Sequence, residues 1–250
     1  MTELREMQLE IVKMIDTVDS LFSENGISYT LLGGSVLGAV RHKGFIPWDD
    51  DMDIGILRKD FDRAENLLSS IQNYTYEYAE NHIIPDAPTG HLHLINEKYP
   101  IENSPTIDVF ALDGVPKTKM GRKLFRFFAN IHHISVLRTY PKTRGKFAKY
   151  AIKIIILFVP NKLWDLIQKF SLNLLMKISA RYTEYTGNVW GYWTEKEYFK
   201  TPIYTHLIKS EFEGMQLPIP SSYDEYLTQL YNNYMELPPV EKRVPKHRSF

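Results

Sequence analysis

Apolar residues at Leu4, Met7, Ile11, Ile15, Val18 and Phe22 recur at the spacing of one helical face, with Thr2 placed to cap the start and Gly26 to close the end. A short run rich in β-formers, residues 27–32, leads straight into Gly33-Gly34-Ser35, after which VLGAVRH suits one or two helical turns. The order is strand, glycine turn, helix. Residues 52–57 alternate as a second strand, and Phe61, Ala64, Leu67, Leu68 and Ile71 mark a helix after it. Further short strands are predicted at 74–78, 91–95 and 106–112, between Pro-containing loops.

From residue 121 to 181 the helical pattern dominates, broken near Tyr140-Pro141 and again at Pro160-Asn161, where a new helix can start. The C-terminal part returns to loops, with a short extended piece over 212–219, an amphipathic helix over 222–231 and a Pro-rich tail. The pattern predicts an α/β or α+β unit with a small sheet and flanking helices over residues 1 to about 115, plus a helical subdomain.

Composition sharpens this picture at one point. Thirty Lys and Arg balance thirty Asp and Glu, which argues against a uniformly basic nucleic-acid binder. Residues 117–182, however, hold fifteen Lys or Arg against one acid, Asp165, so the rest of the chain carries fifteen basic and twenty-nine acidic residues. Two readings of this segment stand: a cationic, aromatic-rich surface for an anionic membrane or ligand, or a solvated helical region whose Lys stems cover apolar surface. There is no cysteine, which excludes disulfides and thiolate metal sites and permits a reducing compartment. The N-terminal residues, with acids throughout, are not expected to act as a signal peptide. The most apolar run, YAIKIIILFV at 150–159, is too short for a membrane span of roughly 20 residues and contains Lys153.

The candidate chemistry lies in GFIPWDDDMDIGI, residues 44–56, where Asp49, Asp50, Asp51 and Asp53 crowd together. In a strand, residues two apart share a face with Cα atoms roughly 6.5–7 Å apart. Asp51 and Asp53 can therefore converge on the same cations while Met52 and Ile54 enter the core. Mg²⁺ takes carboxylate and phosphate oxygens, and a pair of such ions holds both oxygens of an in-line phosphoryl displacement. Asp108, flanked by strand formers in TIDVF, is the candidate third carboxylate, and Asp113 beside Gly114 reads as a turn residue. Gly33-Gly34-Ser35 would let a helix N-terminus approach a phosphate, although such turns are common without one. An EF-hand is excluded: Ile54 stands where the turn glycine belongs and Asp60 where the bidentate Glu belongs. His91 and His93 share a strand face without a further zinc ligand at suitable spacing, so their reading is structural. His132-His133 reads as solvated, and Trp190, Tyr192 and Trp193 serve either an acceptor groove or packing.

The stretch LLGGSVLGAVRHKGFIPWDDDMDIGI resembles the signature of the LicD family, bacterial relatives of fukutin and fukutin-related protein within the nucleotidyltransferase-like superfamily. The resemblance extends to IDVFALD at 107–113 and to YNNYMELPPVEKRVPKH at 231–247. It implies an α+β protein: a polymerase-beta-like nucleotidyltransferase core over residues 1–116, a basic helical subdomain over 117–187, and a C-terminal segment, 188–250, that packs back on the core and completes the donor and acceptor site. On that template Asp51, Asp53 and Asp108 are catalytic and bind metal, while Gly34, Ser35 and Asp49 meet the donor phosphates. Arg41, His42, Lys43 and Trp48, in the insertion between Ser35 and Asp51, supply phosphate contacts and a stacking face. Arg243 and His247 match the family's basic positions, whereas Asn232-Asn233 stands where members often have Gly-Asp.

The resemblance further implies the activity: metal-dependent transfer of a phospho-alcohol, first of all phosphocholine from CDP-choline, to a sugar hydroxyl of a cell-surface glycan or its lipid-linked precursor, with release of CMP. Mg²⁺ or Mn²⁺, as two ions, is the expected cofactor. The expected partners are a CDP-alcohol, a glycan or lipid-linked oligosaccharide and an anionic membrane surface, with no nucleic acid. The expected location is cytoplasmic, peripheral on the inner face of the membrane. Transfer of glycerol or ribitol phosphate, true nucleotidyl transfer, and a catalytically silent scaffold of an envelope-glycan complex are the alternatives.

Overall fold

The computed structural model of the chain describes residues 2–78, 91–99, 104–137, 158–181, 183–189 and 194–245. Helix α1 (Glu3–Glu24) starts where Thr2 Oγ1 accepts the Arg5 N–H at 3.3 Å, and Gly26 follows its end at φ +63°. The first cap satisfies an otherwise orphaned helix N–H. The helix buries Ile11, Met14, Ile15, Val18 and Phe22 completely. Burial of each contributes roughly 1.5–3 kcal/mol, so α1 is held chiefly by its apolar stripe.

The chain then enters strand β1 (Tyr29–Leu31) and helix α2 (Gly33–His42). The two glycines open the helix rather than precede it, and the helix runs ten residues where one or two turns were expected. Strand β2 (Met52–Leu57) pairs antiparallel with β1 and parallel with β5 (Thr106–Gly114). That parallel step needs a crossover. Between them lie helix α3 (Arg58–Leu68) and strands β3 (Tyr74–Tyr78) and β4 (His91–Asn96), with β4 antiparallel to β5. The sheet order is β1-β2-β5-β4-β3, with β6 (Tyr185–Asn188) also paired to β5 and β7 (Tyr198–Lys200) paired to β6. This is a mixed sheet with flanking helices, where the patterning implies a small sheet without its strand directions. Met52, Ile54 and Ile56 are fully buried on one face of β2, which leaves the acids at alternate positions for the other face.

Asp113 is not a turn residue. Strand β5 extends past it to Gly114, and the Arg58 guanidinium grips its buried carboxylate through both oxygens, each at 2.8 Å. Such a fork-on-fork pair fixes α3 to the end of β5.

After a short helix, α6 (Pro202–Thr205), the expected single extended piece is a hairpin. Strand β8 (Leu207–Phe212) turns at Glu213 and Gly214, with φ +50° and +82°, into β9 (Met215–Pro220), and helix α7 (Tyr223–Tyr231) follows. Two successive positive φ values make the tight turn that matches strand twist. At that turn Glu213 accepts two hydrogen bonds from Arg5, at 2.9 and 2.6 Å, and one from the Phe45 N–H at 3.2 Å. The Arg5 hydrogen bond is the main cause holding the Glu213 carboxyl below its ordinary value of 4.5. A depressed acid stabilises the fold above its unfolded-state pKa, and the contribution fades as pH falls through the folded one. Glu213→Gln is therefore expected to flatten the loss of stability below about pH 4.5, read by thermal melts across pH 3–6.

Two compact units divide the chain: Met1–Glu77 with Gly90–Asp113 and Thr186–Phe250, and Tyr78–Thr89 with Gly114–Tyr185. Within the second, α4 (Lys119–Leu137) packs on α5 (Asn161–Arg181). Their facing sides bury Phe125 and His132 on α4 and Trp164, Ser171, Leu175 and Ser179 on α5. His132 Nδ1 and Ser171 Oγ are 3.1 Å apart and the Gly114 N–H donates to Ser179 Oγ at 2.9 Å, so the contacts run antiparallel. His132 is thus a core residue rather than a solvated one, and Phe125 and Trp164 are packing elements. Lys146, Lys149, Lys153 and the apolar residues 150–157 lie outside the described residues, as do Trp190, Tyr192, Trp193 and the side chains of His91 and His133.

Candidate active site

The register of three strands assembles the acids. Asp53 on β2 is the neighbour of Asp108 on β5, and Asp108 is the neighbour of His93 on β4. In-register neighbours share a face, so the three form a row across the sheet, with Asp51 two residues before Asp53 at its edge. Asp51, Asp53 and Asp108 each offer an oxygen, and these lie within 4.8 Å of one another. His93 Nδ1 lies 2.5 Å from Asp108 Oδ1, which turns that carboxylate in a fixed direction.

The loop before β2 is anchored from α1. Gln8, itself buried, donates from Nε2 to the Asp49 carbonyl at 2.9 Å and to the Ile46 carbonyl at 3.4 Å. The start of α2 closes the other side. Ser35 Oγ accepts the Asp53 N–H at 2.9 Å, and the Gly33 N–H donates to the Tyr226 hydroxyl at 2.8 Å. A Cβ at Gly33, whose φ is +47°, would lie 3.3 Å from Asp53 Oδ2, and one at Gly34 would lie 2.9 Å from Asp49 Oδ2. The glycine pair is needed because carboxylates lie directly over the helix N-terminus, whose partial positive charge favours them.

These groups open into one cleft of about 1080 Å³ within the first unit. Of the residues expected at the site, Gly34, Ser35, Arg41, Trp48, Asp49, Asp51, Asp53 and Asp108 line it. Arg41 is spanned to the C-terminal segment by a bond from Nη1 to the Tyr234 carbonyl at 2.7 Å. His42, Lys43 and Arg243 are not among the lining residues. His42 meets the Trp48 ring edge-on at 6.5 Å, and the Arg243 guanidinium sits over that ring at 5.7 Å while bonding the Pro238 carbonyl. Both therefore support Trp48. Lys43 is exposed and caps α2 in the left-handed conformation, φ +59°. His247 lies outside the described residues.

The cleft also contains residues that sequence patterning did not single out: Asn188, Glu197, Tyr231 and Lys242. Glu197 ends a 3-10 turn, Thr194–Glu197, and is only 3% exposed. The stretch TEKEYF has no periodicity that would separate this buried acid from a solvated one.

Burial first, and then the charges of Asp51, Asp108, Asp49 and Glu197, push the Asp53 carboxyl well above the usual carboxylate range. A carboxylate so crowded is restored to its charged form by a cation. All the donor atoms are hard carboxylate oxygens, the set that suits Mg²⁺ or Mn²⁺ and not a soft metal. The residues fit a divalent ion at Asp51, Asp53 and Asp108.

The model of the LicD/FKTN/FKRP nucleotidyltransferase domain matches residues 26–154, a span that holds all three of these acids. A lipopolysaccharide cholinephosphotransferase LicD from Haemophilus influenzae is 32% identical over 260 residues, covering 98% of this chain and 96% of its own. The chain belongs to the LicD family. A short stretch of 42 residues is also 52% identical to the ribitol 5-phosphate transferases FKRP of mouse and human, covering 17% of this chain and 8% of theirs.

Asn232 follows α7 at φ +59° and ψ −112°, backbone territory suited to glycine. Asn232→Gly is expected to stabilise the protein by about 1 kcal/mol, a rise of roughly 2–4 °C in Tm, measurable by differential scanning fluorimetry.

Proposed function

We propose that this LicD-family protein is a cholinephosphotransferase: it moves phosphocholine from CDP-choline to a sugar hydroxyl of a cell-surface glycan or its lipid-linked precursor and releases CMP. The observation that carries the reading is likeness along 98% of the chain to a lipopolysaccharide cholinephosphotransferase. The convergent oxygens of Asp51, Asp53 and Asp108 support the site.

In this reading Asp51, Asp53 and Asp108 hold two Mg²⁺ or Mn²⁺ ions, which when bound neutralise the diphosphate and the oxygen leaving with CMP. The chain's own groups do the rest. Ser35, already fixed by the Asp53 N–H, turns its hydroxyl proton toward a donor phosphate, and the first turn of α2 adds the helix-terminal field. Arg41 supplies positive charge on the same wall, while Trp48, stacked under Arg243, offers a face for the cytosine ring. The acceptor oxygen attacks the β-phosphorus and forms the new ester bond. The bond to CMP breaks with its electron pair on CMP. The acceptor proton passes to Asp108, whose orientation is fixed by His93. Each transfer is direct, without a covalent enzyme intermediate.

Incubation with Mg²⁺ and CDP-choline, CDP-glycerol or CDP-ribitol in turn, following CMP, tests the reading. CMP release fastest from CDP-choline is expected. A polyol donor in first place would favour the second reading, glycerol or ribitol phosphate transfer, to which the FKRP stretch points. Pyrophosphate released from a nucleoside triphosphate, with no CMP from any CDP-alcohol, would replace both by nucleotidyl transfer. On a lipid-linked acceptor the protein would work peripherally at the inner face of an anionic membrane; among the described residues no helix is long and apolar enough to cross one.

A further inference from the structure

The α4–α5 pair buries one side of each helix, and the outward sides are not wholly polar. On α4, Met120, Leu124 and Phe127 fall at i, i+4 and i+7, with exposures of 82%, 55% and 57%. On α5, Leu163, Leu166 and Phe170 fall at i, i+3 and i+7, with exposures of 44%, 63% and 64%. At about 100° per residue, the α5 stripe lies roughly 140° round the helix from the buried Trp164, Ser171, Leu175 and Ser179. The α4 stripe lies roughly 120° round from Phe125 and His132 in the same rotational sense, and because the two helices are antiparallel both stripes turn to the same side of the pair. Each helix is therefore apolar on two sides, one spent on its partner and one presented outward.

The flanks of the outward stripes are cationic. Lys119, Lys123 and Arg126 border the α4 stripe, and Lys162, Lys169 and Lys177 border that of α5. The wider segment 117–182 has fifteen Lys or Arg against Asp165 alone. Scattered exposed apolar side chains need no explanation. Two ordered rows of large ones, rimmed by like charge, do.

We propose that the outward faces of α4 and α5 are a membrane-docking surface that seats on anionic lipid headgroups. Charge selects this occupant. A second copy of the same face would bring two strongly cationic surfaces together and repel itself, whereas anionic headgroups attract each Lys and Arg near them. The apolar rows then enter the boundary between headgroups and acyl chains, the arrangement of an amphipathic helix lying in the interface plane. Leu and Phe supply the depth and the lysines the lipid selectivity. This docking stands on the second unit alone, so it holds or fails separately from the donor chemistry.

The test uses the full chain and sedimentation with vesicles of phosphatidylcholine alone or phosphatidylcholine with phosphatidylglycerol. The protein is expected to pellet with the anionic vesicles at low salt and at least about tenfold less with the neutral ones. The variant Leu124→Ser/Phe127→Ser/Leu166→Ser/Phe170→Ser alters only exposed positions. It is expected to lose this binding while its CMP release in solution and its Tm stay those of the parent. Lys123→Glu/Lys162→Glu/Lys169→Glu is expected to lose the preference for anionic lipid. A parent that stays in the supernatant with anionic vesicles, or a serine variant that pellets as well as the parent, overturns the proposal. So does sedimentation velocity showing a parent dimer that the serine variant loses, since that would assign the face to a second copy.

Discussion

Asp51→Asn/Asp53→Asn is expected to release CMP from CDP-choline at least about 10³-fold more slowly than the parent while remaining folded. Losing a single well-placed stabilising group already costs 10²–10³-fold in comparable sites, and here two of three convergent carboxylates become neutral. The fold should not suffer. Burial and four neighbouring acids all disfavour the charged form of Asp53, so without metal the amide relieves repulsion. The double variant should melt at or above the parent when both are stripped by chelator. Added Mg²⁺ should then raise the Tm of the parent alone, since a ligand at 100 times its Kd stabilises by about 2.7 kcal/mol. This opposite ordering, more stable yet inactive, separates a site residue from a structural one.

Asp113→Ala is expected to be the most damaging substitution away from the cleft. Its carboxylate is almost wholly buried and receives both arms of Arg58, so removing it takes away the main counter-charge of a buried guanidinium and leaves the weaker attraction of Asp62 and Glu65. Breaking such a pair from one side costs about 3–5 kcal/mol, visible as a large fall in the urea midpoint. Replacing both residues, Arg58→Met with Asp113→Leu, should recover most of the loss, because it removes the stranded charge as well. A single variant as stable as the parent would mean that the ion pair contributes nothing net.

The Asp113 pair also shows where sequence reading stops. Strands β2, β4 and β5 were legible because alternation and β-branched residues mark a half-buried strand locally, and the Asp51 and Asp53 spacing follows from the period of two. Helix α1 was legible down to its cap. Partners far apart in the chain were not. Nothing near Asp113 announces Arg58 fifty-five residues earlier, and nothing in TEKEYF distinguishes a buried Glu197. His93 was noticed as one of two alternating imidazoles, yet its value lies in a register that only strand pairing supplies. The β8–β9 hairpin had a signal in Glu213-Gly214, but a Glu in the left-handed region is uncommon enough to hide it. The outward stripes of α4 and α5 were read as aromatic content, and only the direction of each side chain separates Phe125 in the core from Phe127 outside it.

The central claim is that Asp51, Asp53 and Asp108 together grip divalent cations beneath a CDP-linked donor. Titration of Mn²⁺ into the chelator-treated protein, followed by the fall in the free Mn²⁺ electron paramagnetic resonance signal with and without CDP-choline, reads it most directly. The parent should take up Mn²⁺, more tightly with the donor present, and Asp51→Asn/Asp53→Asn and Asp108→Asn should each lose that uptake. Equal Mn²⁺ binding by parent and variants would contradict it.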